Sequence, residues 1–355
     1  MIIKDFKYFP FSLQLKAPFQ TASQVITERS GFIISLSDEN GNVSFGECSP
    51  LSGFSLETLE DAERILKGLC HQMIGFSVEE TLHAVSELLI EFKLVPSLQF
   101  ALEQAIISLM IQHNKDFMKA FFINTKSEID VNAVIGLGDI ENIVAQVDEK
   151  IRKGFVTFKL KVGRDDAYED FLLLKMIRNE FGYNINLRID ANRKWSADEA
   201  MEYLDRFQQF NISYVEEPCE HICSIFKLLE ESPIPIALDE SLVSFENAEK
   251  LINECKIEFI ILKPMVLGGL ISSLRLIKNA GKKNKKVIIS SSFESAVGKS
   301  GLVLLAATTN HNFAHGLDTS EFFVEDICAD PFIVKDGKIN LASENYPPHF
   351  NLEFT

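Results

Sequence analysis

The sequence predicts an α/β protein in which a parallel (β/α)7β barrel accompanies a smaller α+β domain. Two patterns favour the barrel: from Ile129 onward short apolar runs alternate with amphipathic stretches, and charged residues end consecutive predicted strands. The length of 355 residues exceeds one ordinary domain but suits one barrel with a companion. On the alternating pattern alone, an open doubly wound sheet is the other possibility.

Residues 1–125 are predicted to form the smaller domain. Its expected elements are a strand over 4–15, short strands over 32–36 and 43–45, and helices over 56–92 and 97–122. The stretch Asp38-Glu39-Asn40-Gly41 joins the two short strands as a hairpin, because an Asn-Gly pair favours a tight turn. Gly75 is expected to interrupt the first helix, and Ser97 is the expected N-cap of the second.

Residues 126–319 are predicted to form the barrel, with eight strands and seven helices between them. The strands cover 131–135, 157–162, 186–190, 214–216, 236–239, 259–263, 286–290 and 314–317. The helices cover 140–152, 168–181, 197–210, 222–231, 245–255, 271–280 and 296–309. Residues 320–355 lack an eighth helical pattern, so we expect them to fold back onto the first domain.

Charge and composition exclude several classes of function. Lysine and arginine total 35 against 51 acids, a net charge of −16, which disfavours nucleic acid and anionic membranes as partners. No apolar run reaches the ~18 residues of a membrane span, and the N-terminus lacks a secretory signal pattern. The six cysteines show no dense spacing, which is typical of reduced thiols, so a cytoplasmic location is expected. Nothing in the sequence indicates an oligomeric state.

The ends of the predicted barrel strands carry an ordered set of charges. Strands two to six end, in order, at Lys161, Asp190, Glu216, Asp239 and Lys263. In a parallel barrel these ends meet at one face, where functional side chains converge. A single charge at a strand end is ordinary, but five in succession, with the acids central and the lysines outside, indicate a functional site. Further polar residues at the same ends are Lys159, Arg188, Asn192, Glu217 and Glu240.

The residue types at these ends predict a metal and a base. Three carboxylates without histidine or cysteine suit a hard divalent cation, Mg²⁺ with Mn²⁺ as a substitute, rather than Zn²⁺. Such a cation would stabilise negative charge that develops on a substrate carboxylate. Burial, the cation and the Lys159 ammonium group would favour the neutral amine of Lys161, which then acts as a base. The expected reaction is proton abstraction next to the carboxylate of a small-molecule substrate.

These residues resemble motifs of the enolase superfamily. The stretch Phe158-Lys159-Leu160-Lys161-Val162-Gly163 resembles the Lys-x-Lys motif of its second barrel strand. The superfamily's motifs on the third to sixth strands are similar to Arg188-Ile189-Asp190-Ala191-Asn192, Val215-Glu216-Glu217-Pro218, Leu238-Asp239-Glu240-Ser241 and Leu262-Lys263-Pro264. The end of its capping-domain hairpin is similar to Gly46-Glu47-Cys48-Ser49-Pro50. The resemblance implies a modified TIM-type barrel with a capping domain built from residues 1–125 and the C-terminal segment 320–355.

Three further stretches resemble the o-succinylbenzoate synthases of menaquinone (vitamin K2) biosynthesis. They are Pro50-Leu51-Ser52-Gly53-Phe54-Ser55, Ile289-Ser290-Ser291-Ser292-Phe293-Glu294-Ser295 and Gly316-Leu317-Asp318-Thr319. The resemblance implies a lyase that dehydrates 2-succinyl-6-hydroxy-2,4-cyclohexadiene-1-carboxylate in syn fashion. Lys161 would remove the α-proton and return a proton to the departing hydroxide, Lys263 would stabilise the intermediate, and Lys159 would tune Lys161.

The same resemblance assigns the remaining site residues. By that resemblance Mg²⁺ is held by Asp190, Glu216 and Asp239. The residues that support these carboxylates would be Arg188, Asn192, Glu217 and Glu240. The end of the pocket that holds the succinyl and carboxylate groups would be lined by Ser291, Ser292 and Gly316. The loop over residues 16–30 is expected to close over the substrate.

Two other functions remain open at the level of sequence. Dipeptide epimerases share the Lys, Mg²⁺ and Lys set, so an N-succinylamino acid racemase or a dipeptide epimerase is the alternative. Those epimerases carry Asp-x-Asp on the eighth strand for the substrate's ammonium group, whereas this chain has Gly316-Leu317-Asp318, which disfavours an aminoacyl ligand. A non-catalytic binding barrel is the third possibility, and the intact lysines and carboxylates argue against it.

Overall fold

The N-terminal part of the chain folds into an antiparallel sheet. The computed structural model describes residues 1–20, 25–78, 82–114, 116, 125–342 and 346–352. The sheet contains β1 (Ile3–Gln20), β2 (Val25–Asp38) and β3 (Val43–Cys48), in that order. Between β2 and β3, Asp38 Oδ1 accepts hydrogen bonds from the backbone N–H groups of Asn40 (2.8 Å) and Asn42 (2.9 Å), and Gly41 takes φ +80°. The predicted Asn-Gly hairpin is therefore confirmed.

Three helices follow this sheet, α1 (Leu59–Gln72), α2 (Leu82–Glu91) and α3 (Pro96–His113). Two of them, α1 and α3, pack against the sheet, and α2 packs against α3. The predicted break near Gly75 is confirmed, since Gly75 separates α1 from α2 with φ +87°. The expectation that Ser97 caps α3 is wrong: Val95 is the N-cap, and the N–H of Ser97 donates to Glu57 Oε1 at 2.8 Å. Pro96 explains the shift, because its fixed φ suits the first helical position. Residues 115 and 117–122 of the predicted second helix lie outside the described residues.

The rest of the chain alternates strands and helices around a parallel sheet. After β4 (Glu128–Asp130), the elements are β5 (Ala133–Ile135), α4 (Ile140–Arg152), β6 (Thr157–Lys161), α5 (Ala167–Phe181), β7 (Asn186–Asp190), α6 (Ala197–Phe207), β8 (Ile212–Glu216), α7 (Ile222–Glu231), β9 (Ile236–Leu238), α8 (Phe245–Glu254), β10 (Phe259–Leu262), α9 (Pro264–Leu267), α10 (Gly269–Lys282), β11 (Lys286–Ile289) and α11 (Ala296–Ala307). Strands β5 to β11 form one seven-stranded sheet in chain order. This is the α/β architecture that the alternation predicted, with a separate N-terminal sheet.

The predicted eighth strand consists of two isolated bridges. His315 pairs in parallel with Val131, beside β5, and Gly316 pairs in parallel with Ser290, beside β11. The N–H of His315 donates to the carbonyl of Asp130 at 2.7 Å, and the N–H of Gly316 donates to that of Ile289 at 2.9 Å. This short segment thus contacts both edges of the seven-stranded sheet and closes the barrel.

Two buried carboxylates of the N-terminal domain hold the first turns of barrel helices. Glu47, at the end of β3, accepts hydrogen bonds from the N–H groups of Ser295 and Gly298, both at 3.0 Å, at the start of α11. Glu103, on α3, accepts one from the N–H of Ile271 at 2.8 Å, at the start of α10. Helix N-termini favour negative charge and need acceptors, so each carboxylate serves as a cap supplied by the other domain.

The burial of Glu103 predicts a pH-dependent stability, because it outweighs the hydrogen bonds of the cap. Burial raises the pKa of Glu103 to about 7 from an ordinary value of 4.5. Protonated Glu103 therefore contributes about 3 kcal/mol to the stability of the fold, and this contribution is fully present below pH 4.5. It is lost as the pH rises through the folded-state pKa of about 7. Glu103→Gln, which stays neutral, should therefore be less stable than the wild type at pH 5, and this difference in stability should be smaller at pH 8. Thermal unfolding at both pH values measures this, and an unchanged gap would contradict the assignment.

The C-terminal segment contacts both parts of the molecule. Phe323 bridges Leu15 of β1, and the ring of Phe350 lies edge-on to Phe45 of β3 at 6.3 Å. Strand β12 (Lys338–Asn340) pairs antiparallel with β4, which precedes the barrel. The domain limits 1–125, 126–319 and 320–355 stay a prediction. Across the described ranges, no helix is long and apolar enough to span a bilayer.

Candidate active site

Three neighbouring strands place Lys161, Asp190 and Glu216 side by side. Lys161 is the register partner of Asp190 in the β6–β7 pair, and Asp190 is the partner of Glu216 in the β7–β8 pair. Side chains alternate along a strand, so all three point the same way, while Leu160 and Ile189 face the helices and are buried. The register alone thus aligns a base candidate with two acids at the carboxyl ends of the strands.

The next two strands add one acid and one lysine. Asp239 directly follows β9, and Lys263 directly follows β10 and precedes the proline that starts α9. Lys159 lies on β6 two residues before Lys161, one layer deeper on the same face. The structure therefore brings together the three predicted carboxylates and the three predicted lysines.

The acids and lysines form close ion pairs. Lys159 Nζ lies 2.9 Å from Asp190 Oδ2 and 2.5 Å from Glu216 Oε1, and Lys161 Nζ lies 2.6 Å from the same Asp190 oxygen. Lys263 Nζ lies 2.5 Å from Asp239 Oδ2. The Glu216 side chain is fully buried, and the three lysine side chains are only 11–12% exposed. Water therefore screens these pairs weakly.

The pKa directions show where negative charge is in excess. Burial opposes charge on Lys159, but the carboxylates of Asp190, Glu216 and Asp239 outweigh it and raise the Lys159 pKa well above its usual value. Burial also works against ionised Asp190, yet its two lysine neighbours hold its pKa low. For Glu216, burial and repulsion from Asp190 and Asp239 raise the pKa well above normal, despite Lys159. Of these two acids, Glu216 is therefore the one whose negative charge its surroundings stabilise less.

Asn192, Glu217 and Glu240 hold the strand ends in place. The Asn192 side chain accepts a hydrogen bond from Lys161 and donates one to Glu240 Oε1 at 3.1 Å. Glu217 accepts hydrogen bonds from the N–H of Asp239 (2.9 Å) and the N–H of Ser241 (2.7 Å), which orders the turn that carries Asp239. Burial and the nearby Glu240 raise the pKa of Glu217 to about 7.

Arg188 contacts residues other than the carboxylates that it was predicted to support, and that role stays a prediction. Its Nη1 donates to Asn132 Oδ1 and to the carbonyl of Ala314, both at 2.8 Å, and its guanidinium lies 5.0 Å from the centre of the Tyr214 ring. Arg188 precedes Asp190 by two residues on the same strand face, so it starts about 7 Å deeper in the barrel. Its long side chain fills the barrel interior.

A small pocket of about 70 Å³ opens over these charges. Its predicted lining residues are Lys159, Lys161, Asp190, Asn192, Asp239, Lys263, Ser291 and Gly316, and those that sequence reasoning missed are Phe19, Leu51, Phe54, Val134, Ser290, Phe293, Thr319 and Phe322. The Phe19 ring packs edge-on against those of Phe293 at 4.9 Å and Phe322 at 5.3 Å. The site therefore combines a charged floor with an apolar, aromatic wall. In the predicted loop 16–30, residues 21–24 lie outside the described residues.

Ser292 does not line the pocket, contrary to the prediction. It is fully buried, and its N–H donates to Glu294 Oε2 at 2.7 Å. The backbone turns sharply after β11, with Phe293 at φ +62°, and this turn directs Ser292 away from the pocket. Asn192 (φ +43°) and Glu217 (φ +38°) show the same left-handed strain at neighbouring strand ends. Strained residues of this kind gather at functional sites.

The donor set fits a hard cation, although the side chains do not yet surround one. Among the described residues, no group of three or more His, Cys, Asp or Glu side chains is arranged to hold a metal ion. The oxygens of Asp190, Glu216 and Asp239 instead contact lysines. One oxygen of Glu216, Oε2, is buried without a hydrogen bond, which is costly unless a ligand reaches it. An all-oxygen set with one free, buried carboxylate oxygen suits Mg²⁺ or Mn²⁺.

Comparison with known sequences gives the family. Residues 142–345 match the family described as enolase C-terminal domain-like, and residues 3–109 match the MenC N-terminal domain. The chain belongs to the enolase superfamily.

Superfamily relatives with curated names include both synthases and epimerases. The chain is 29% identical to the chloroplastic protein PHYLLO of Arabidopsis thaliana, over 84% of this chain and 20% of that protein. It is 30% identical to the o-succinylbenzoate synthase of Desulfotalea psychrophila, over 65% of this chain and 64% of that enzyme. It is 27% identical to the D-Ala-D/L-Ala epimerase of Cytophaga hutchinsonii, over 92% of this chain and 89% of that enzyme. The chain thus spans less than two thirds of the first two relatives, and the names disagree about the reaction.

The fold recurs in solved superfamily structures. A dipeptide epimerase from Enterococcus faecalis, complexed with Mg and the dipeptide L-Leu-L-Tyr, superposes with a TM-score of 0.87. The superposition covers 96% of this chain and 98% of that one at 21% identity. At that identity the likeness establishes the fold alone.

Proposed function

We propose that this protein is an o-succinylbenzoate synthase, a cytoplasmic lyase of menaquinone biosynthesis. The observation that carries the proposal is the pocket itself, in which Lys161 and Lys263 flank buried carboxylates beneath an aromatic wall. Asp190 and Asp239 line this pocket, and the buried Glu216 is the register partner of Asp190. An apolar wall suits the ring of 2-succinyl-6-hydroxy-2,4-cyclohexadiene-1-carboxylate, and lysines suit its two carboxylates. The curated synthases among the relatives support this choice.

Asp190, Glu216 and Asp239 would hold Mg²⁺, with Mn²⁺ as a substitute. When bound, the cation would withdraw electrons from the substrate's carboxylate and so acidify its α-proton. It would also satisfy the buried oxygen of Glu216. Lysines 159 and 161 would then share their present carboxylate partners with the ion, which weakens the hold on the Lys161 amine.

Lys161 would carry the proton in both halves of the reaction. As a neutral amine it takes the α-proton, and the electron pair moves into the carboxylate to give an enediolate. The ring then loses the neighbouring hydroxyl as water, with the proton supplied by the Lys161 ammonium from the same face. The Lys263 ammonium offsets the negative charge of the enediolate, and Asn192 fixes the direction of the Lys161 side chain.

The eighth strand supports a substrate without an ammonium group. Gly316 lines the pocket and brings no charge. Asp318 is ion-paired with Lys150 and is not among the residues that line the pocket, so its carboxylate is already neutralised. Burial raises the pKa of Asp318 to about 6, and Lys150 acts in the opposite direction. A free α-amino group would therefore find no carboxylate partner at this strand end.

An N-succinylamino acid racemase or a dipeptide epimerase is the second candidate. The observation that favours it is the placement of Lys161 on β6 and Lys263 after β10, four positions apart in the sheet order, so that a lysine reaches each face of a substrate. Removal of a proton by one lysine and delivery by the other would invert the α-carbon. The N-succinyl substrate agrees better with the eighth strand than a dipeptide does.

The deciding experiment compares the two reactions with and without metal. The protein is incubated with the hydroxycyclohexadiene substrate and Mg²⁺, and in parallel with EDTA, while o-succinylbenzoate is followed by absorbance. We expect turnover with Mg²⁺ or Mn²⁺, none with EDTA, and recovery when Mg²⁺ is added back. The control is α-hydrogen exchange of N-succinyl amino acids and dipeptides in D₂O. Exchange without any dehydration would replace the first proposal by the second.

A further inference from the structure

A cavity of about 320 Å³ lies at the amino end of the barrel, opposite the catalytic pocket. Several of its lining residues begin their strands: Thr157 is the first residue of β6, Asn186 is the first of β7, and Ser213 is the second of β8. Parallel strands share one amino edge, so these residues lie at the face where the strands start. Among the described residues, this basal cavity and the catalytic pocket share no lining residue.

The inner end of the basal cavity is formed by Arg188. This residue lines the cavity, yet it is only 1% exposed. It lies two residues after Asn186 on the same face of β7, so its backbone is about 7 Å further into the barrel. Asn186 and Asn312 line the same cavity and are exposed. The basal cavity therefore leads from the surface to a buried cation.

Arg188 has no carboxylate partner within the described parts of the chain. Its two hydrogen bonds both use Nη1 and go to neutral oxygens, Oδ1 of Asn132 and the carbonyl of Ala314. The Nε group is buried without a hydrogen bond, and neither of the two bonds uses Nη2. A buried charge is costly unless it is paired, and an unused buried donor adds to that cost. The guanidinium group thus has both charge and donors to offer a ligand.

The neighbouring strand explains why Arg188 is left without an acid. Lys159 on β6 is its register partner, so two cations lie side by side in the barrel interior. The Lys159 ammonium group is already paired with Asp190 at 2.9 Å and Glu216 at 2.5 Å, toward the catalytic end. Like charges repel, and the Arg188 side chain accordingly contacts Asn132 and Ala314. The basal cavity is the side from which an anion can reach it.

The walls of the basal cavity indicate the class of anion. A guanidinium group matches the planar fork of a carboxylate. The half-buried Phe313 and the exposed Val156 supply apolar surface beside polar groups at the strand starts. Asp130 also lines the cavity and opposes anions, although Lys338 lies 3.8 Å from its carboxylate and offsets part of that charge. A ligand with one carboxylate is therefore favoured over one with two.

We propose that the basal cavity is a binding site for a small monocarboxylate with an apolar body. The carboxylate group pairs with the Arg188 guanidinium, and the body packs against Phe313. The volume lies within the range of about 300–1,000 Å³ that is usual for small-molecule sites. The site would exist whatever reaction the catalytic pocket performs.

Benzoate is the probe, and isothermal titration calorimetry measures its Kd. Arg188→Met removes the charge and keeps an unbranched side chain, so we expect it to raise the Kd at least tenfold. The matched control is Arg206→Met on α6, which removes an exposed guanidinium paired with Glu202 and should leave the Kd within threefold. Circular dichroism checks the fold of both variants. An unchanged Kd in folded Arg188→Met would overturn the proposal.

A variant at the rim keeps the test valid if Arg188→Met does not fold. Asn312 is exposed, so Asn312→Glu adds a negative charge at the opening without disturbing the core. We expect it to raise the benzoate Kd at least fivefold, whereas Asn312→Gln should leave it unchanged. Equal affinities in these two variants would contradict binding at this end of the barrel.

Two further measurements fix the ligand class and the place. Inorganic phosphate can pair with the guanidinium group but has no apolar body, so it should bind at least tenfold more weakly than benzoate. Equal affinities would rule out the apolar part of the site. In crystals soaked with 4-bromobenzoate, anomalous scattering should place bromine beside Phe313. Bromine only in the catalytic pocket, or at no site, would refute the basal site and leave the proposed function untouched.

Discussion

Lys161→Ala is expected to lower kcat for dehydration by about 10⁴-fold, the upper end of what a positioned general base contributes. The substitution removes the only proposed proton carrier of the reaction, while Asp190 keeps its ion pair with Lys159 at 2.9 Å. The fold should therefore persist, and the loss should appear in kcat more than in KM. Steady-state turnover, with circular dichroism as a check of folding, measures the effect.

Lys194→Ala is the matched control for this substitution. Lys194 is exposed and follows β7, so its removal changes the total charge by the same amount without touching the carboxylates. We expect its kcat to stay within threefold of the wild type. If Lys161→Ala also kept activity within tenfold, another group would have to be the base.

Gly316→Asp is expected to reduce kcat/KM for the same substrate by at least about 100-fold. Gly316 lines the pocket, and a Cβ at this position would lie 3.0 Å from Ser290 Oγ, so the new side chain has little room beside the strand and extends toward the ligand. Two like charges about 4 Å apart repel by about 4 kcal/mol at an effective dielectric constant of 20. The substrate carries two carboxylates, so it should bind and react poorly.

This variant also discriminates between the candidate reactions. A carboxylate at position 316 offers a partner to a substrate ammonium group, so α-hydrogen exchange of dipeptides should rise while dehydration falls. Gly68→Asp, on an exposed face of α1 with nothing within 4 Å of its Cβ, is the control for charge alone. Equal dehydration rates for Gly316→Asp and wild type would mean that the eighth strand does not contact the substrate.

Much of the barrel and its charged floor follows from local sequence. The alternation of apolar runs and amphipathic stretches predicts β5 to β11, because each parallel strand is buried on both faces and each helix buries one face. Once the strands are known, the charges at their ends must meet, since parallel strands share one carboxyl edge. Lys161, Asp190 and Glu216 therefore lie together in the structure as the spacing predicts.

Local sequence does not predict the direction in which a side chain extends, nor which distant segments contribute residues to the site. Arg188 shares a strand face with Asp190, but its length lets it reach Asn132 in the barrel interior. Ser292 sits on a turn whose left-handed Phe293 reverses the alternation of a strand. Phe19 and Phe322 complete the aromatic wall from opposite parts of the chain, and no local pattern marks either one. Phe54 and Phe293, by contrast, lie in stretches whose resemblance to the synthases already pointed to the site.

The two carboxylates that cap barrel helices set a limit on how this protein can be rebuilt. Glu47 and Glu103 belong to the N-terminal domain, yet α11 and α10 depend on them for their first turns. A barrel expressed alone would expose those N–H groups, and a chimera that pairs it with a foreign N-terminal domain would need acidic residues at both positions. We therefore expect exchange of domains between relatives to succeed only with partners that carry a carboxylate at both positions.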